Sequence, residues 1–468
     1  MLLFVACIFW ACKKELNVYP TTSEVDGNVI VDAKSASTVL NGVYYRFANA
    51  GADNNGVPSV EWTDVNENIP SQLSGMLTNS SGGDLASFTI NSQSGEVAEE
   101  WTYGYNLVNA ANGFLKNVDP VTSIPAATKK QMQAEALFLR AFGDEQLMLY
   151  FGQYNDPTSK YGIILRDQFV DVSNINLPRS SVAATYTAIL SDLTTAIAGL
   201  PSLNSQIYYT NSWTAKLLEA QVLINRGASG DYAQVISLTN DIITNGPFAL
   251  EGNLKDLFWT KGFASKEVML GVQPYPTETY KYQNNQYYLQ YPASDTLISL
   301  LTNDPRNQWV YQNANSAYFG ILPEITKYYS GDPDPNNISQ TPLSEYCYAF
   351  RLSEAYLLQA ESITLSGGNL ATAKTLLKTV ESHAGVSDFS AITAATTAAQ
   401  LQLLIVKEEL KNFVAENGQD WFALRRLPLT IIQTIQPLAK SANLLIFPIP
   451  NTEITANSQA IQNPGYSN

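Results

Sequence analysis

The sequence predicts a mostly α fold: a tetratricopeptide-like helical-repeat scaffold (an α-α superhelix) carrying a large irregular, loop-rich lobe. Three observations point there. Residues 213–245 and 351–381 repeat one helix–turn–helix pattern. Residues 125–151 have helical periodicity and are apolar nearly all round, which predicts a buried helix. Two long insertions, roughly 52–97 and 250–345, break this rhythm; the first is rich in Gly, Ser, Asn and Asp, the second in Tyr, Asn, Pro and Asp.

The elements follow in chain order. Residues 1–12 form an apolar leader, too short to span a bilayer and suited to the hydrophobic region of a secretory signal. The step Ala11-Cys12 resembles a bacterial lipobox, in which the cysteine is lipidated and becomes the new N-terminus. Cys7 after Ala6 is a rival with a shorter apolar run; no Lys or Arg precedes the run, and Phe9 and Trp10 are bulky for a lipobox. Residues 13–468 then read as one domain, with helical repeats over roughly 98–250 and 345–426. Within 181–199, Tyr186, Ile189, Leu190, Leu193 and Ile197 recur at helical spacing, bracketed at the end by Gly199 and Pro201. The first helix pair runs 213–227, turns at Gly230-Asp231-Tyr232 and resumes to Asn245; the second runs 351–366, turns at Gly367-Gly368-Asn369 and resumes to Glu381. Leu218-Glu219-Ala220 matches Leu358-Gln359-Ala360, the small Ala allowing close crossing, while Gly with Asp or Asn makes each tight turn.

Bulk composition excludes several functions. The net charge of -15 repels phosphate backbones, so no nucleic-acid partner is expected. Two of the three cysteines lie in the leader, leaving Cys347 alone in the body: neither a disulfide framework nor a Cys-based metal site follows. The single histidine, His383, sits where a helix should end and suits a capping role there; it leaves no His-rich zinc site and no Ser-His-Asp triad unless it serves alone. No compact acidic loop of the EF-hand type marks a metal, and no cofactor is indicated.

The aromatic residues point to recognition. The chain has 26 Tyr, and the second insertion alone holds Tyr275, Tyr280, Tyr282, Tyr287, Tyr288, Tyr291, Trp309, Tyr311 and Tyr318. A carbohydrate offers apolar C–H faces and equatorial hydroxyls, which suit aromatic platforms flanked by Asn, Asp and Gln. The candidate ligand residues are Trp62, Trp101, Tyr103, Tyr282, Tyr287, Trp309 and Tyr311 for stacking, with Asp64 and Asn66 for hydrogen bonds. No residue is assigned a catalytic role. A glycoside hydrolase would need only a carboxylate pair; Glu61, Asp64 and Glu67 lie together, but in a stretch that reads as a solvated loop.

Several short motifs run along the chain: Asn41-Gly42-Val43-Tyr44, Glu100-Trp101 followed by Asn109-Ala110-Ala111-Asn112, Ala134-Glu135-Ala136-Leu137-Phe138-Leu139-Arg140-Ala141 and Asp304-Pro305-Arg306. Arg351-Leu352-Ser353-Glu354-Ala355-Tyr356-Leu357-Leu358-Gln359-Ala360-Glu361, Pro448-Ile449-Pro450 and Gln462-Asn463-Pro464-Gly465-Tyr466 follow. In this order, the motifs resemble the SusD/RagB family of Bacteroidetes outer-membrane lipoproteins. Lys13-Lys14-Glu15 resembles the family's surface-export signal. Two motifs depart: the family's Glu-Gly-x-Arg-x-x-Asp-Leu is here Asn417-Gly418-Gln419-Asp420-Trp421-Phe422-Ala423-Leu424, and the Gly-Asp-x-Pro loop is altered at Gly152-Gln153-Tyr154-Asn155-Asp156-Pro157. The resemblance implies a non-enzymatic surface lipoprotein, anchored through Cys12, that holds a glycan, or in some members a peptide, over a SusC-like TonB-dependent transporter. The repeats would face the transporter and the irregular lobe would bind the ligand. Arg140, Glu135, Arg351, Glu354 and Glu361 match the family on buried-looking helices and are expected in structural ion pairs. A scaffold that binds only proteins is the remaining alternative.

Overall fold

A computed structural model describes residues 29–52, 56–281, 290–316, 320–329, 341 and 343–467; the leader with Cys12, and Tyr282 and Tyr287, lie outside the described residues. Helix α1 (Ala33–Phe47) starts at a capping box in which Asp32 accepts from the Ser35 N–H at 2.8 Å and the Ser35 hydroxyl accepts from the Asp32 N–H at 3.0 Å. A small hairpin of β1 (Ala50–Ala52) and β2 (Pro58–Val60) leads into a wide π-type turn, Thr63–Asn68, then α2 (Ile69–Leu73) and α3 (Asp84–Ser87). The first insertion is therefore shorter in loop and richer in helix than its composition suggests.

Helices α4 (Gly95–Val118), α5 (Ala126–Phe151) and α6 (Val182–Gly199) pack in series, followed by α7 (Ser212–Arg226) and α8 (Asp231–Asn245). As its sequence predicts, α5 is buried along most of its length. It crosses α4 closely because Gly104 has no side chain: a Cβ there would lie 2.5 Å from Leu147 Cγ. The α7–α8 turn falls where the repeat pattern put it. Gly227 ends α7 at φ +60, a conformation that favours glycine, and Arg226 pairs with Asp231 at 2.6 Å across the turn.

The second insertion contains α9 (Leu254–Asp256), β3 (Val268–Val272), α10 (Asp295–Leu300) and the antiparallel strands β4 (Tyr311–Ser316) and β5 (Gly320–Ile325). Its β3 pairs antiparallel with β6 (Cys347–Arg351), Val272 opposite Cys347, and every residue of both strands is buried. A two-stranded ladder with no exposed face must sit inside the core, here between the helical scaffold and the lobe.

The second pair, α11 (Leu352–Leu365) and α12 (Leu370–His383), precedes α13 (Ser390–Ala394), α14 (Ala398–Phe413), α15 (Gln419–Leu424), α16 (Leu429–Ile435) and α17 (Asn451–Ala456). Helix α11 packs on α8, α12 and α14, and Leu357, Leu377, Leu401, Ile405 and Phe413 form an apolar cluster of their own. His383 is the last residue of α12, as expected; its Nδ1 also meets the Glu251 carbonyl oxygen. The C-terminal motif closes the molecule through Asn463, whose amide donates to the Phe151 and Phe447 carbonyls at 2.8 and 2.7 Å while its oxygen accepts from Arg179 at 2.8 Å.

Three of the five residues expected in ion pairs form them. Arg140 binds Asp192 through two bonds of 2.7 Å, Arg351 binds Glu267 and Glu416, and Glu361 holds Arg426 at 2.6 Å. Glu135 and Glu354 instead take neutral donors. Glu135 accepts from the Tyr44 hydroxyl at 2.6 Å, and Glu354 accepts from the Gln221 amide, with burial pushing its pKa up to about 8. The altered motif near the C-terminus has its own solution. Asp420 stands where the family has arginine, and it accepts from the hydroxyls of Ser71 and Ser74 at 2.6 and 2.9 Å.

Candidate functional site

The wide turn at Thr63–Asn68 positions Asp64 over a cleft of about 460 Å³. Helix α2 adds Gln72, the loop after it Asn79, and the first turns of α4 add Glu96 and Glu99. Tyr280 and Tyr291 come from the second insertion. The two insertions are stitched together beside the cleft: the N–H groups of Thr78 and Ser80 donate to the carbonyls of Pro292 and Gln290, both at 2.9 Å, and the Gln290 amide donates to Asn79 at 2.7 Å.

The cleft is acidic. Tyr280 donates its hydroxyl to Asp64 at 2.6 Å. Burial nonetheless raises the Asp64 pKa to about 7, with Glu61 and Glu67 adding to the rise. Burial, then the charges of Asp64, Glu61 and Glu96, raise Glu99 to about 8. A carboxylate whose folded pKa lies above its unfolded value holds its proton better in the folded state, so its stabilising effect is complete below the unfolded pKa and is lost as pH rises through the folded one. Thermal melts should therefore show the wild type losing stability from about pH 5 to pH 9. Asp64→Asn and Glu99→Gln should each flatten that slope, with little change at pH 5; parallel slopes in all three proteins would refute this.

Of the seven sequence candidates among the described residues, only Asp64 lines this cleft. Trp62 is 1% exposed, packed at 5.1 Å from Phe47, and its indole N–H donates to the Glu416 carbonyl at 3.2 Å. Tyr103 donates to the Phe47 carbonyl at 2.8 Å from within the core, and Asn66 is buried too. Trp309 is buried against Phe258 at 5.9 Å, and half-buried Tyr311 begins β4 and packs on the same core. These five residues consolidate the fold, and none of them lines the cleft. Trp101, set edge-on to Phe151 at 4.9 Å, borders a separate cleft of about 210 Å³ with Arg166 and Glu453. The solvated-loop reading of Glu61, Asp64 and Glu67 is corrected as well. Helical backbone turns Asp64 to the cleft and Glu67 inward, where it pairs with Lys281 at 3.2 Å.

Sequence reasoning missed Gln72, Asn79, Glu96 and Glu99, and placed Tyr280 and Tyr291 only in the general aromatic run. The one available signal for Glu96 and Glu99 was their position at the start of a long helix, where acidic residues are common for the helix dipole alone.

Among the described residues, no helix is long and apolar enough to cross a membrane, and no group of three or more His, Cys, Asp or Glu is arranged to hold a metal ion. Residues 21–219 match the family described as "Starch-binding associating with outer membrane", and residues 274–431 match the "SusD family". No functionally curated protein matches. Solved structures share the fold. A SusD superfamily protein from Bacteroides thetaiotaomicron is 20% identical, covers 93% of this chain and 100% of its own, and has a TM-score of 0.75. For a SusD superfamily protein from Parabacteroides distasonis the values are 17%, 92%, 99% and 0.73. For a laminarin-binding SusD-like protein they are 19%, 92%, 99% and 0.67.

Proposed function

Because the chain belongs to the SusD/RagB family, we propose that it is a cell-surface lipoprotein that captures a glycan or oligosaccharide and hands it to a SusC-like TonB-dependent transporter. The observation that carries this reading is the Asp64 cleft. It is formed where the two insertions meet, large enough for a small ligand, and lined by two tyrosines, carboxamides and carboxylates. Phenol rings suit C–H faces, and carboxylates and carboxamides suit paired hydroxyls. The laminarin-binding relative lends the ligand class support. In this reading residues 1–12 are a leader, Cys12 carries the lipid, residues 13–468 are one domain, and the protein cuts nothing. A peptide is the alternative ligand within the same architecture.

One observation favours a second reading, a glycoside hydrolase. Asp64 and Glu99 line one cleft, and both have raised pKa values, as a general acid requires. Native gels cast with a panel of polysaccharides, combined with an assay for reducing ends, separate the readings. Retardation by a glycan without new reducing ends is expected. New reducing ends would establish the hydrolase, and retardation by no glycan would turn the proposal toward peptides.

A further inference from the structure

A second cleft, of about 340 Å³, opens where α1, β2, β3 and the loop before α7 meet. Its walls are aromatic: Tyr45, Tyr208, Tyr209 and Tyr275 line it. Tyr45 and Tyr275 stand edge to face at 5.9 Å with their hydroxyls in contact, and Tyr208 meets Tyr209 at 5.0 Å in the same manner. Two carboxamides complete the lining. The Asn41 oxygen accepts from the Tyr209 hydroxyl at 2.9 Å, and its amide N–H groups have no partner among the described residues; the Gln273 side chain has none either. Both residues are exposed, so these groups face an incoming ligand from solvent. Among the described residues, the lining holds no charged side chain, in contrast to the Asp64 cleft.

The two clefts share walls. One segment runs from Val60 in the second cleft to Asp64 in the first, another from Pro276 to Tyr280. Each covers four residue steps, at most about 14 Å of extended chain. Glu278 ties the segments together, accepting from the N–H of Val60 at 2.8 Å and of Tyr280 at 3.1 Å.

We propose that the tyrosine cleft is a second sugar site, taking an uncharged pyranose unit of the glycan; it rests on the glycan-binding reading above for its ligand class alone. The volume falls in the usual range for ligand pockets, about 300–1,000 Å³, and the lining has their usual form of aromatic walls with a few polar groups. A purely apolar occupant would strip water from phenol hydroxyls and carboxamides without replacing those bonds, which opposes it. A phosphorylated or uronic ligand would find no cation among the described lining residues. A neutral sugar ring meets both demands: its C–H face covers a phenol, and its hydroxyls reach Asn41 and Gln273.

The test is calorimetric titration of the full chain with laminarihexaose, maltohexaose and xylohexaose. Tyr275→Ala, Tyr208→Ala and the exposed Gln273→Ala are compared with Tyr291→Ala in the other cleft, and thermal melts check folding. The expected result is wild-type binding of at least one hexasaccharide, weakened about ten-fold by each tyrosine variant of the second cleft and about three-fold by Gln273→Ala. Wild-type affinity in all three of these variants overturns the proposal, and if Tyr291→Ala alone weakens binding, the Asp64 cleft reading survives that failure. Weakening only in the second-cleft variants supports this proposal and removes the ligand from the Asp64 cleft. A wild type that binds none of the three sugars overturns both.

Discussion

Replacing Arg351 with methionine is expected to destabilise the protein by about 3–5 kcal/mol, a loss measurable by chemical denaturation. Arg351 is 1% exposed and joins three parts of the molecule. It sits at the end of β6, donates to Glu416 through Nε and Nη2 at 2.7 and 2.8 Å, to Glu267 at 2.6 Å and to the Asn412 side chain at 2.6 Å. Among the described residues, Lys327 is the only other cation on this group, and it is bonded to Glu416 and to the carbonyls of Asn412 and Val414. Two positive and two negative charges thus balance inside the core. Removing the guanidinium leaves Glu267 without its cation, and a lone buried carboxylate costs far more than a missing pair. Arg351→Lys keeps the charge and loses the fork that spans two carboxylates, so it should fall between wild type and methionine. A loss below about 1 kcal/mol for methionine would mean that Lys327 or water compensates.

The scaffold was legible because its determinants are local. Gly227, Gly230 and Asp231 specify a turn by themselves, and the Leu-Ala pattern on either side specifies which faces pack, so both helix pairs lie within one to two residues of their predicted ends. The site was not legible for the opposite reason. Trp62 and Asp64 are two residues apart, yet one fills the core and the other lines the cleft, because the backbone there winds as a wide helical turn that an Asn- and Asp-rich stretch does not advertise. Trp309 likewise looks like a binding platform until Phe258 and Trp259 are seen to cover it. Glu99 reaches the cleft only because residues 290–293 bring Tyr291 back across the chain to face it, and that pairing with residues 77–80 is set by tertiary contact.

Tyr291→Ala is expected to weaken glycan binding by about 1–3 kcal/mol, roughly five- to a hundred-and-fifty-fold, as for a hot-spot ring stacked on a sugar. Trp62→Phe should leave affinity unchanged while lowering stability, since its indole N–H is used only by the Glu416 carbonyl. The two variants therefore separate site from scaffold within the same aromatic class. Asp64 supplies a finer test. An ionised carboxylate accepts two hydroxyls where a protonated one must spend an oxygen on its own proton, so affinity should rise as pH passes through about 7. The Tyr280 hydroxyl bond holds that pKa down against burial. Tyr280→Phe removes the bond and keeps the ring, so it should shift the midpoint of the affinity profile to higher pH without abolishing the rise. Titrations between pH 5 and 9 would show both effects, and a flat profile in the wild type would mean that Asp64 does not bond the ligand.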